Sequence, residues 1–295
     1  MTFEIRRMTR EDIPEVGRIG VEAFNDLMAR HNRPPLYPDP QVGALAATAY
    51  LSIDPERSLV ATDEGRIVGS IFYRSRGETV SVGPATVAPA AQGRGVGTKL
   101  FQTVIEREPG ARSMRIMQDS LNLASFELLV RIGYSLGEEV AMFTLPAGFR
   151  EEREADPSVR MARSEDLADI LAMDRRLFGS DRRRDFEFLR RFGKILTIYS
   201  GRTLQGYLAQ MPTPGRTMLG PGGADSPDAL GRLIQHAVGE TLGELSLLLP
   251  ARGYDNVRPL LETGFHLVGL SNLMFRGTWA PPNGAYAYSL FPESH

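Results

Sequence analysis

The chain has no cysteine and a single tryptophan in 295 residues. Without cysteine there is no disulfide framework, no thiolate-held zinc and no thiol nucleophile. An excess of one charge is missing too. The 34 Lys and Arg nearly balance 36 Asp and Glu, for a formal net charge of -2, which gives no electrostatic case for nucleic acid or an anionic membrane as partner. Long apolar runs are also absent. The greasiest, Leu245 to Leu249, is strand-sized, against the ~18 residues that a bilayer span requires. Met1 to Arg7 lacks the apolar core of a signal peptide, so a cytoplasmic location is expected. His236, His266 and His295 do not have the spacing of a metal site, and no metal is expected.

What is present is ordinary in bulk: 42% hydrophobic and 24% charged residues, in a chain long enough for two domains that each bury a core. The distinctive stretch runs from Val82 to Leu100. Val82, Thr86 and Val87 read as a strand that Pro89 closes. Val96, Leu100, Phe101, Val104 and Ile105 recur at helical period until Pro109-Gly110. Between them lie Gly93, Gly95 and Gly97, which give the backbone freedom and let amides approach a ligand closely. Amides at the positive end of a helix form an anion site, and Arg94 adds charge at its rim. The lysine and threonine of a P-loop are misplaced here (Lys99, Thr98), and the spacing is not that of the dinucleotide fingerprint.

Before this stretch, Phe3 to Arg7 alternates as a strand. Thr9 and Asp12 cap a helix carrying Ile13, Val16, Ile19 and Phe24, and prolines force a loop over 33–40. A helix over 41–53 and a hairpin of 58–62 with 67–74 follow. After it come a strand over 113–118, a helix from Leu121 to Ile132 that Gly133 ends, and strands over 134–145.

Gln92-Gly93-Arg94-Gly95-Val96-Gly97 resembles the pyrophosphate loop of the GNAT acyltransferases, Gln/Arg-x-x-Gly-x-Gly/Ala, which grips coenzyme A. Asn122 to Tyr134 is similar to that family's second motif, Asn-x-x-(Ala/Ser)-x-x-Leu-Tyr-x-x-x-Gly-Phe. The resemblance covers Phe3 to about Leu145 and implies its α/β fold, a mixed, mostly antiparallel sheet flanked by helices. It implies acetyl-CoA as co-substrate, held by Gln92, Gly93, Arg94, Gly95, Val96, Gly97 and Thr98. Thr86 and Val87 would bind through their backbone. Ser125 is assigned to the same site, and Asn122 as a ligand, a helix cap or both. The resemblance also implies an acceptor entering past the first helices, so Phe24, His31 and Tyr37 are substrate-side candidates.

The family's general acid is a Tyr; its position here holds Leu129. Because a thiol has a reference pKa of about 8.5, solvent can protonate the leaving thiolate. For the base that must free the amine, Glu78, Ser81, Asp119 and His31 are candidates, with Asp119 and Glu78 taken forward.

The pattern then repeats. Ile5 to Ile13 aligns without a gap on Val159 to Leu167, Leu129 to Tyr134 on Leu260 to Phe265, and Gly83 to Pro89 on Gly220 to Ser226. The glycine loop does not repeat: Pro227-Asp228-Ala229 enters a helix directly, and Asp228 would repel phosphate. The expected organisation is a GNAT-like domain over 1–148, a linker over 149–158 and a degenerate copy over 159–295. The expected function is N-acetyl transfer from acetyl-CoA to an amine of a small molecule, peptide or protein, by a monomer or homodimer. The alternatives are a catalytically silent CoA-sensing module and an interaction protein carrying a relic site.

Overall fold

The computed structural model describes residues 3–37, 39–148, 156–213, 215–252 and 254–289. They form two compact units, Met1–Ser135 with Met274–Thr278, and Leu136–Leu273 with Trp279–His295.

In the first unit β1 (Glu4–Arg7), β2 (Ser58–Asp63), β3 (Arg66–Arg76) and β4 (Thr79–Val87) pair antiparallel in that order. β5 (Ser113–Asp119) then runs parallel to β4, and the end of β12 (His266–Gly277) lies beside β5. Glu64 and Gly65, at φ 49° and 77°, make the tight β2–β3 turn, whose left-handed backbone matches the twist of the strands. Alternation along β2 sorts the two sheet faces. Leu59 and Ala61 join Ile71, Val82 and Ile116 against α3 (Val96–Arg107) and α4 (Leu123–Arg131), through Leu100 and Leu129. Val60 and Phe72 instead receive Val16 of α1 (Ile13–Arg30) and Ala47 and Leu51 of α2 (Gln41–Ile53). Each fully buried Leu, Ile or Val contributes about 1.5–3 kcal/mol. The two helices touch backbone to backbone, since a Cβ on Gly43 would lie 2.2 Å from the Gly17 carbonyl oxygen.

The second unit orders β12, β6 (Ser135–Leu145), β11 (Glu244–Pro250), β10 (Arg216–Ala224), β9 (Thr203–Thr213), β8 (Lys194–Ser200) and β7 (Val159–Met161). Its helices are α5 (Leu167–Phe178), α6 (Arg183–Phe192), α7 (Pro227–Glu240) and α8 (Tyr254–Glu262), and β13 (Ala285–Ala287) pairs with β10. Phe143 and Leu145 of β6 share its core with Leu208, Leu233 and Leu247. Both units thus have the mixed α/β build expected from the sequence.

The duplication is visible in side chains. Arg6 donates to Asp12 at 2.7 and 2.8 Å, and Arg160 donates to Asp166 at 2.7 and 2.9 Å. Each carboxylate also accepts a backbone N–H, from Thr9 and Arg163 respectively. Repeats and compact units differ by an exchange. β6, which ends the first repeat, packs in the second unit, and residues 274–278 of the second repeat pack in the first. Residues 149–155 of the expected linker, and His295, lie outside the described residues. Asp156 and Ser158 of that linker are held by Arg232 of α7. Among the described residues no helix is long and apolar enough to cross a membrane, and no group of three His, Asp or Glu could hold a metal ion.

Candidate functional site

β4 and β5 are registered from Thr79↔Ser113 to Val82↔Ile116 and then part. Beyond that point β4 continues along β3 alone, after a bulge in which Gly83 and Pro84 face Phe72. Strand alternation decides which backbone groups remain open. The Ala88 N–H donates to the Val68 carbonyl at 2.9 Å, so Thr86 faces β3 while Ala85 and Val87 face the parted side. The Thr86 carbonyl oxygen lies 2.7 Å from where a Cβ on Gly69 would be, and its hydroxyl lies 3.0 Å from Ser70 Oγ. Thr86, expected as a backbone ligand, is therefore committed to the ladder. Ala85, unforeseen, turns its backbone to the parted side, and so does Val87, whose N–H is open while its carbonyl accepts from Gln92. The Gly-Pro pair was the available signal, because a bulge resets the phase of a strand.

At the end of β4 the chain reaches the glycine loop. Gly93 and Gly95 have φ of 74° and 88°, and no atom lies within 4 Å of a Cβ built on either. Gly97 does not use glycine's backbone freedom. It is helical, and its missing Cβ makes room for Leu128, whose Cδ1 would be 3.1 Å away. The amides of Gly95, Val96, Gly97 and Thr98 form the start of α3, where helix geometry supplies no acceptor and the macrodipole is positive. The Val96 side chain is buried in the core, which leaves only its amide for a ligand. Arg94 is not simply a charge at the rim. Its Nη2 donates to Asp63 at 2.7 Å, and its guanidinium lies 5.6 Å from the Phe3 ring centre. Gln92 ties the loop to its surroundings, donating to the Val87 carbonyl at 3.2 Å and accepting from Arg30 at 3.2 Å.

Across the parting, Asp119 ends β5 and its Oδ1 accepts the Leu121 N–H at 2.9 Å. Asn122 caps α4, accepting the Ser125 N–H at 3.0 Å, which commits its oxygen and leaves the amide nitrogen for a ligand. Glu78 requires correction. It precedes Thr79 at the hairpin end of β4, roughly 25 Å from Val87 by strand rise, and is exposed beside Arg112. Distance removes it as a base. Ser81 is buried and accepts from Arg76 at 3.0 Å, in a cross-strand row with Arg74 and Arg115. Leu129, at the expected acid position, is fully buried in the apolar cluster. Tyr134 is buried against Phe101, and burial pushes its phenol well above the ordinary value.

On the α1 side, Phe24 and Tyr37 pack edge to face at 5.7 Å. Asn25 holds that contact: its Nδ2 donates to the Tyr37 carbonyl at 2.9 Å and its Oδ1 accepts the Tyr37 N–H at 3.0 Å. His31 is the exposed residue that ends α1. Phe24 and Tyr37 are thus brought together, with His31 at the end of the same helix.

Residues 24–134 match the profile described as the acetyltransferase (GNAT) family, and residues 170–289 match that of an acetyltransferase (GNAT) domain. No curated protein matches the chain in sequence. Among solved structures, a protein from Pyrococcus horikoshii described as an acetyltransferase superposes with a TM-score of 0.80 at 19% identity, covering 99% of this chain and 95% of that one. A GCN5-related N-acetyltransferase from Sphaerobacter thermophilus gives 0.67 at 15% identity, covering 95% and 98%. A tandem GNAT protein from the clavulanic acid biosynthesis pathway gives 0.63 at 12% identity, covering 95% and 100%. At these identities the likeness is one of fold.

Proposed function

The chain belongs to the GNAT superfamily as a tandem protein, and on that premise we propose that its first unit transfers an acetyl group from acetyl-CoA to an amine. One observation carries this reading: two unobstructed left-handed glycines, Gly93 and Gly95, open the amides at the start of α3 beside two parted strands. The amides of residues 95–98, which helix geometry leaves without acceptors at the start of α3, suit a diphosphate. The backbone of Ala85 and the N–H of Val87, on the parted side of β4, suit the amides of the pantetheine arm, which would add to β4 as a strand does. We assign Asn122 Nδ2, Ser125 and Gln92 to the same ligand. When bound, acetyl-CoA supplies an activated acyl group and a thiolate leaving group.

Asp119 is the carboxylate we assign to proton removal, because an amine attacks only when neutral and this acid lies past the parting. Phe24 and Tyr37, locked by Asn25, and His31 form the acceptor side. The acceptor is an amine of a small molecule, peptide or protein, and the setting is the cytoplasm.

Titration calorimetry with CoA, followed by an amine panel read as free-thiol release, tests the proposal. Binding with amine-dependent release is expected. Binding without release from any amine favours a CoA sensor, to which buried Leu129 in the acid position lends support. Absence of heat overturns the cofactor assignment.

A further inference from the structure

The second unit contains the same parted pair of strands, and there the opening is filled. β10 and β11 are registered from Arg216↔Glu244 to Leu219↔Leu247 and then separate, as β4 and β5 do. Into the separation runs β13, antiparallel to β10, with Gly222↔Ala287, Gly223↔Tyr286 and Ala224↔Ala285. On the opposite lip the Tyr288 N–H donates to the Leu248 carbonyl of β11 at 2.9 Å. By alternation Ala285 and Ala287 turn their backbone groups to β10, and Tyr286 and Tyr288 turn theirs to β11. One short segment therefore bonds both lips.

The fit is tight on every side. A Cβ on Gly220 would come within 2.2 Å of the Tyr288 carbonyl oxygen. Ala285 and Ala287 are buried in the cluster under α7. Tyr286 and Tyr288 pack edge to face on Phe178, and both hydroxyls donate to the buried Glu138, with Tyr286 at 3.0 Å from each oxygen. Arg252 lies 3.0 Å from the same carboxylate. The helix start that would face a diphosphate is closed as well. Ser226 Oγ accepts the Ala229 N–H at 3.2 Å, Pro227 has no N–H, and Asp228 adds a negative charge.

We propose that residues 285–288 are an intramolecular substitute for the cofactor arm. The chain's own strand occupies the slot of the second unit, and the protein binds one acyl-CoA, not two. The stoichiometry rests on the reading of the first unit given above; the occupancy of the slot does not.

Two measurements on the full-length chain test this separately. Calorimetric titration with CoA is expected to give one equivalent, and Gly95→Glu, which places a large anionic side chain in the cradle, to give none. Two equivalents, or one retained by Gly95→Glu, overturn the proposal. Hydrogen exchange read by mass spectrometry is expected to show amides 286–288 slowed by at least about 100-fold relative to an unfolded peptide, and unchanged at saturating CoA. Exchange at the unfolded rate, or deprotection by CoA, overturns it. A chain that takes up no CoA at all overturns the function proposed for the first unit, and the exchange result then decides this one.

Discussion

Arg94, at the centre of the glycine loop, donates to Asp63 at 2.7 Å, across 31 positions of sequence. The guanidinium is thereby held over Phe3 and already paired with a carboxylate before any anion arrives. Removing the carboxylate should raise the positive potential beside the diphosphate amides. Asp63→Asn should tighten CoA binding about threefold and steepen its salt dependence, the scale of a partly exposed ion pair. Arg94→Ala should weaken binding by about tenfold. Calorimetry at low and high salt checks both, and unchanged affinity in both variants would remove Arg94 from the site.

The three loop glycines should separate by stability. Gly93 and Gly95 hold positive φ, so alanine at either costs about 1 kcal/mol or more. Gly97 is helical, and a Cβ there meets the tip of Leu128, a flexible neighbour, at 3.1 Å and Val87 Cγ2 at an ordinary 3.9 Å, while alanine gains up to about 1 kcal/mol of helix propensity. Urea unfolding should show Gly97→Ala within about 0.5 kcal/mol of the parent and the other two clearly lower. Equal losses at all three would contradict the backbone assignment.

The loop was legible in sequence because its chemistry is local: glycines, the preceding Val87-x-Pro89 and the helical stripe from Val96 adjoin one another. So was the duplication, since Arg160 and Asp166 keep the spacing of Arg6 and Asp12. Features set by partners far along the chain were not. Nothing beside Arg94 points to Asp63. The bulge at Gly83-Pro84 shifted the open backbone from Thr86 to Ala85. Ala285-Tyr286-Ala287-Tyr288 alternates as a strand should, yet its sequence does not say that the two lips of β10 and β11 will receive it.

Asp12 and Asp166 should govern the acid limb of stability. The hydrogen bonds from Arg160 hold the Asp166 carboxyl well below the usual carboxylate range, and Arg6 does the same for Asp12. A depressed folded value adds stability that is fully present above the unfolded value near 3.9 and is lost as pH falls through the folded value. Asp166→Asn should therefore cost about 2 kcal/mol at neutral pH, with the deficit shrinking below about pH 4. Denaturation curves for both proteins at pH 7 and pH 3 check it, and a deficit independent of pH would show that charge is not the cause.

Leu129 stands where the resemblance implies a hydroxyl acid, and it is fully buried. Tyrosine there must overpack the cluster, at a cost of about 1–3 kcal/mol, so the control is Leu129→Phe, which carries the same ring without the hydroxyl. If protonation of the leaving thiolate limits turnover, kcat for Leu129→Tyr should exceed that of Leu129→Phe by roughly tenfold, below the ~100-fold that acid catalysis usually gives because a thiolate leaves readily. Equal turnover in the two variants would show that the proton is supplied without cost by solvent.

A cut after Gly148 should destroy the first unit, although the sequence repeat ends there. Val140, Ala141, Phe143 and Leu145 of β6 are buried in the second unit and would be stranded in water, each large side chain forfeiting about 1.5–3 kcal/mol. The same cut removes Met274, a member of the first unit's core, and the strand beside β5, whose edge would then be open to pairing with other chains. The fragment 1–148 should be poorly soluble, lack a cooperative thermal transition and bind no CoA, while the full chain melts cooperatively. Circular dichroism and size-exclusion chromatography read both properties. A soluble fragment melting within about 5 °C of the full chain, a shift on the scale of 1 kcal/mol, would mean that residues 274–278 lend the first unit no stability it depends on.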